Sequence, residues 1–101
     1  MKLMSKMDKS LEKVSTFEPE KKLLIVDDDK PFRERLAKAM KHRGFKVTAV
    51  ESVSEGVSMA KIEAPNYAVL DLRLEDGSGL DVVPVIREAH ADSRIVILTG
   101  Y

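Results

Sequence analysis

The chain has 101 residues, enough for one small domain, and its 17 basic and 17 acidic side chains give a formal net charge of zero. That balance leaves no electrostatic footprint for a nucleic acid or an anionic membrane, and the absence of cysteine excludes disulfides, thiolate chemistry and cysteine-bound zinc. No apolar run approaches the ~20 residues of a membrane span, and Met1–Glu20 lacks the apolar stretch of a signal peptide, so a cytoplasmic protein is expected.

Residues 1–20 read as a flexible arm, with four lysines, four acids, and Met4, Met7, Leu11 and Val14 at roughly helical spacing. From Lys21 the pattern alternates between strand and helix. Leu23–Asp27 reads as a first strand. Pro31 suits the first turn of a helix whose apolar stripe is Phe32, Leu36, Ala39 and Met40. His42 and Arg43 suit its negative end, and Gly44 closes it. Lys46–Val50 reads as a short edge strand. Ser52 and Glu55 have the spacing of a capping box, opening a second helix with Val53, Val57 and Ala60 on one face. Pro65 and Asn66 end that unit, and Tyr67–Asp71 reads as the third strand. Gly77, Ser78 and Gly79 form a turn. Ser78 with Asp81 caps a third helix carrying Val82, Val83, Ile86 and Ala89. Pro84 conflicts with that helix. About five residues in, it would cost ~3 kcal/mol, so the helix either starts late or bends. Arg94–Leu98 reads as the fourth strand, followed by Thr99, Gly100 and Tyr101. His42 and His90 each stand alone and read as solvated surface. Near-continuous apolar strands alternating with helices predict an α/β fold, a doubly wound parallel sheet covered on both faces.

The acids carry the chemistry. Asp27 and Asp28 end the first strand and Asp71 ends the third, and these strands are neighbours across the switch point of a doubly wound sheet. Three carboxylates in one cleft repel each other unless a cation sits between them, and all-oxygen ligands favour Mg²⁺. With the charge offset, one carboxylate oxygen can act as a nucleophile toward a phosphoryl group. Thr99, ending the fourth strand, is placed to give its hydroxyl to a phosphoryl oxygen. Asp29, before Lys30 and Pro31, reads as a helix cap. Two other functions use parts of this pattern. An aspartyl-phosphate hydrolase sets two acids two apart on one strand, as Asp27 and Asp29 are, but it leaves Asp71 and Thr99 without a role. A protein-interaction module without phosphoryl chemistry would bind through the first helix or the arm, and the intact acid pocket argues against it.

The segments Leu24–Asp29, Asp71–Leu74, Asp76–Asp81 and Ile97–Tyr101 together resemble the receiver domain of two-component response regulators. More narrowly, Arg43-Gly44-Phe45 and Asp71–Gly77 are similar to the RegA/PrrA/ActR group of redox-responsive regulators. The resemblance covers Lys21 to Tyr101 and implies a flavodoxin-like sheet. It implies that Asp71 is the phosphoacceptor, Asp28 a direct Mg²⁺ ligand and Asp27 a companion acting through water. Arg73 would give its backbone carbonyl to the metal, and Thr99 would be the switch hydroxyl. The implied phosphodonor is a sensor histidine kinase, and the implied output is transcription control through a DNA-binding domain absent from this stretch. No enzyme activity is expected beyond self-phosphorylation and autodephosphorylation at Asp71. The proline usual a few residues after the phosphoacceptor is replaced near Glu75, leaving the loop shape open. A fifth strand ending in lysine and two further helices are expected beyond Tyr101, so the sheet would have the order 2-1-3-4 without its fifth strand. The isolated chain is then expected to be unstable or to self-associate through the exposed fourth strand, with domain swapping as one route, to bind Mg²⁺ weakly and to accept phosphoryl groups poorly.

Overall fold

A computed structural model describes residues 20–99. In chain order these form β1 (Lys22–Val26), α1 (Lys30–His42), β2 (Lys46–Val50), α2 (Val53–Glu63), β3 (Tyr67–Asp71), a 3-10 turn (Gly79–Asp81), α3 (Val83–Ala89) and β4 (Arg94–Leu98). All strand pairs are parallel, in the order β2-β1-β3-β4. The expectations for residues 1–19, and those for Gly100 and Tyr101, fall outside the described residues. No described helix is long and apolar enough to cross a membrane.

β1 shows why its sequence is apolar from Leu23 to Val26. Side chains on a strand alternate between faces. Leu23 and Ile25 pack with Ala37, Leu36 and Met40 of α1 on one face. Leu24 and Val26 pack with Ala60 of α2 and with Val82 and Ile86 on the other. Both faces are covered from Leu23 to Val26, so the polar residue of β1, Lys22, stands at its less buried start. Each large apolar side chain buried this way contributes ~1.5–3 kcal/mol. The chain passes from β1 to β2 on one side, then crosses back over β1 to β3 on the other. Its winding therefore reverses between β1 and β3, and their carboxyl ends open a cleft.

Several local expectations are refined. β1 ends at Val26 rather than Asp27, although the Asp27 N–H still donates to the Val50 carbonyl at 3.0 Å. On α1 the buried residue is Ala37, while Ala39 faces solvent. Asp29 is the α1 cap, its Oδ1 accepting from the Phe32 N–H at 3.1 Å. Ser52 caps α2, but Glu55 completes only half of the box: its carboxylate takes the N–H of Glu51, not that of Ser52. The complete capping box belongs to Ser78 and Asp81, and it opens the 3-10 turn rather than α3. Pro84 conflicts with nothing, because α3 starts late and places it in the first turn. His42 is exposed as expected, but His90 is not solvated surface. It is half-buried, with Nε2 3.0 Å from Asn66 Nδ2. The Lys22 N–H donates to Asn66 Oδ1 at 3.0 Å, which turns the amide nitrogen toward the ring.

Candidate functional site

Asp27 follows β1 directly, so the strand's burial extends to this residue, which is 5% exposed. Its Oδ1 accepts the Asp29 N–H at 2.9 Å, and its carbonyl accepts from Arg33 Nη1 at 2.7 Å, tying the strand end to α1. Asp28, the next residue, is exposed. Asp71 ends β3, half-buried, and its Oδ1 accepts the Arg73 N–H at 3.2 Å. One carboxylate oxygen each from Asp27, Asp28 and Asp71 lies within 4.8 Å of the other two. Thr99 and Leu98 from the end of β4 join these acids, Asp29 and Phe32 around an open cleft of ≈ 570 Å³. The structure thus brings together Asp27, Asp28, Asp71 and Thr99, while Arg73 meets the cluster through its N–H on Asp71.

The charges in this cleft are unbalanced. Burial pushes the Asp27 carboxyl above the ordinary aspartate value of 3.8, and the like charges of Asp71, Asp28 and Asp29 add to that push. The hydrogen bond from the Asp29 N–H opposes it without cancelling it. A divalent cation would relieve this repulsion. The donor set is hard oxygen only, which suits Mg²⁺, held at ~2.0–2.1 Å with several waters retained. Oxygens already within 4.8 Å of each other need only small adjustments to share such a hydrated ion.

Three residues around this site make contacts that escaped sequence reasoning. Arg33 reaches back from α1 to the Asp27 carbonyl. Asp76 accepts the Val53 and Ser54 N–H groups at the start of α2, at 2.9 and 3.1 Å. Gly79 sits against the backbone of Asp71: a Cβ there would stand 2.3 Å from the Asp71 carbonyl oxygen. Only the Gly77–Gly79 pair hinted at the last of these. The loop near Glu75 is a four-residue turn, closed by mutual hydrogen bonds between Leu74 and Gly77 at 2.9 and 3.3 Å. Glu75 therefore stands in a turn that needs no proline. The Asp27–Asp29 pair of the hydrolase reading is split, since Asp27 is buried while Asp29 caps a helix.

The family model of the response regulator receiver domain matches residues 23–101. The chain is 60% identical over 82 residues to the photosynthetic apparatus regulatory protein RegA of Cereibacter sphaeroides, covering 81% of this chain and 45% of RegA. It is 58% identical over 83 residues to the acid tolerance regulatory protein ActR of Rhizobium meliloti, covering 82% and 43%. The chain therefore spans less than half the length of these curated relatives. Among solved structures, a Burkholderia pseudomallei response regulator with a phosphorylated aspartic acid, a calcium ion and citrate superposes with a TM-score of 0.75. It is 32% identical, over 81% of this chain and 48% of that one.

Proposed function

Because the chain belongs to the response regulator receiver domain family, we propose that Asp71 is its phosphoacceptor and that Asp27 and Asp28 hold the Mg²⁺ ion the transfer requires. The observation that carries this reading is the convergence of three carboxylates at the switch point, with Asp71 held by the Arg73 N–H. When bound, Mg²⁺ would offset the carboxylate charge and stabilise charge on the phosphoryl oxygens. The backbone carbonyl of Arg73 is the further ligand on this reading. The remaining steps belong to the chain. One Asp71 oxygen forms a bond to phosphorus as the P–N bond of a donor phosphohistidine breaks, and the electron pair leaves with the imidazole nitrogen. Asp27, buried and fixed by the Asp29 N–H, holds the cleft's negative charge in place. Thr99, at the cleft's edge, gives its hydroxyl to a phosphoryl oxygen.

The donor on this reading is a sensor histidine kinase in the cytoplasm, and the output is transcription control through a DNA-binding domain. Both rest on the receiver domain family to which the chain belongs. The test is labelling by a small acyl phosphate with Mg²⁺, read by intact mass. Whatever its rate, the label sits on Asp71, disappears in Asp71→Asn and requires the metal. A label that survives Asp71→Asn overturns the assignment.

A further inference from the structure

We propose that Asp76 is a positioning residue for the acidic cleft: it holds the turn after β3 against α2, and that turn aims the Asp71 carboxylate. The inference rests on the metal-binding reading of the cleft given above.

The chain leaves the sheet at Leu72, whose N–H still donates to the Leu98 carbonyl at 2.9 Å. The next N–H, that of Arg73, donates to Asp71 Oδ1, so the position of this peptide sets where that carboxylate points. Leu74 and Gly77 then close the turn on each other. These bonds shape the turn and join it to the sheet, and Leu74 is buried in the core cluster that includes Ala60 of α2. Asp76 makes the hydrogen-bonded tie to that helix. It lies near the apex, and its two carboxylate oxygens accept the Val53 and Ser54 N–H groups, 23 and 22 residues away in sequence. These are free donors of the first turn of α2, at the positive end of its dipole. The same two bonds hold the Asp76 carboxyl below its ordinary value.

α2 already has an N-cap of its own, since Ser52 Oγ accepts the Glu55 N–H at 3.1 Å. What the Asp76 bonds add, beside the apolar packing of Leu74, is a directional tie between the turn and the first turn of the helix. Glu75 is the natural comparison. It is the adjacent exposed acid, it lines the same second cleft as Asp28 and Asp76, and its side chain makes no hydrogen bond among the described residues.

The experiment is a Mg²⁺ titration of the full chain followed by amide NMR, with Asp76→Ala, Asp76→Asn and Glu75→Gln beside the wild type. Residues that orient metal ligands change affinity by 10–100-fold when lost, so Asp76→Ala is expected to weaken Mg²⁺ binding about tenfold. It also moves the Arg73 amide resonance before any metal is added. Asp76→Asn keeps one acceptor oxygen and a milder loss, and it serves where the alanine variant does not fold. Glu75→Gln leaves both readouts nearly unchanged. Wild-type affinity and an unmoved Arg73 amide in Asp76→Ala overturn the proposal. So does a Glu75→Gln loss as large, which would make the effect one of charge alone. Absence of Mg²⁺ binding in the wild type overturns the metal reading instead, and the Arg73 amide then decides the role of Asp76.

Discussion

Asp27 carries most of the electrostatic tension of the site. It is buried beside two other carboxylates, and its folded-state pKa lies above the ordinary 3.8. Between 3.8 and that raised value the folded chain holds more protons than the unfolded chain. Stability therefore falls as pH rises through this window, and the ionised group weighs against the metal-free fold above it. Asp27→Asn removes the charge and keeps the oxygen that accepts the Asp29 N–H. The metal-free variant is expected to melt higher than the wild type at neutral pH, with the difference vanishing below pH 3.8. Its Mg²⁺ affinity is expected to fall about tenfold. A lower melting midpoint at neutral pH would show that the carboxylate stabilises the apo fold. The acids themselves were legible in the sequence, because an apolar run that stops in aspartate places carboxylates at a sheet edge. The residues around them were not. Gly79 is required by a backbone contact 2.3 Å from where its Cβ would be, and Arg33 by a bond across a helix–strand junction. Arg33 leaves no local pattern, and Gly79 leaves only its pairing with Gly77.

At the scale of elements, Pro84 shows how a sequence conflict can locate a boundary. In the middle of a helix it would remove a hydrogen bond and crowd the preceding turn, costing ~3 kcal/mol. Here the complete capping box of Ser78 and Asp81 opens a 3-10 turn, and α3 starts only at Val83. Pro84 thus occupies the first α-helical turn, where a missing N–H costs little. Pro84→Ala is accordingly expected to change stability by less than about 1 kcal/mol in urea denaturation. A gain near ~3 kcal/mol would place the proline inside a strained helix instead. The caps divide the same way between readable and unreadable. Asp29 and Ser52 lie within three residues of the N–H groups they accept, so their roles follow from spacing. Asp76 caps α2 from another loop, and no spacing rule reaches that far.

The whole molecule is a sheet shared by two cores. Leu23 and Ile25 of β1 belong to one and Leu24 and Val26 to the other, so neither helical layer has a separate sheet to pack on. The order β2-β1-β3-β4 was legible through the resemblance to receiver domains, which implies a flavodoxin-like sheet. That order puts the two acid-bearing strands side by side, and it makes the acid cluster a property of the folded state alone. Unfolding separates Asp71 from Asp27 and Asp28, so a cation held by all three binds the native chain and not the unfolded one. Mg²⁺ at a hundredfold its dissociation constant is then expected to add ~2.7 kcal/mol to the unfolding free energy, and a chelator to remove it. Asp28 is exposed and outside both cores, so Asp28→Asn should leave metal-free stability nearly unchanged while abolishing most of the gain. Chemical denaturation of both proteins, with and without Mg²⁺, measures the two effects separately. An equal gain in Asp28→Asn would mean that the cation acts somewhere other than the strand ends.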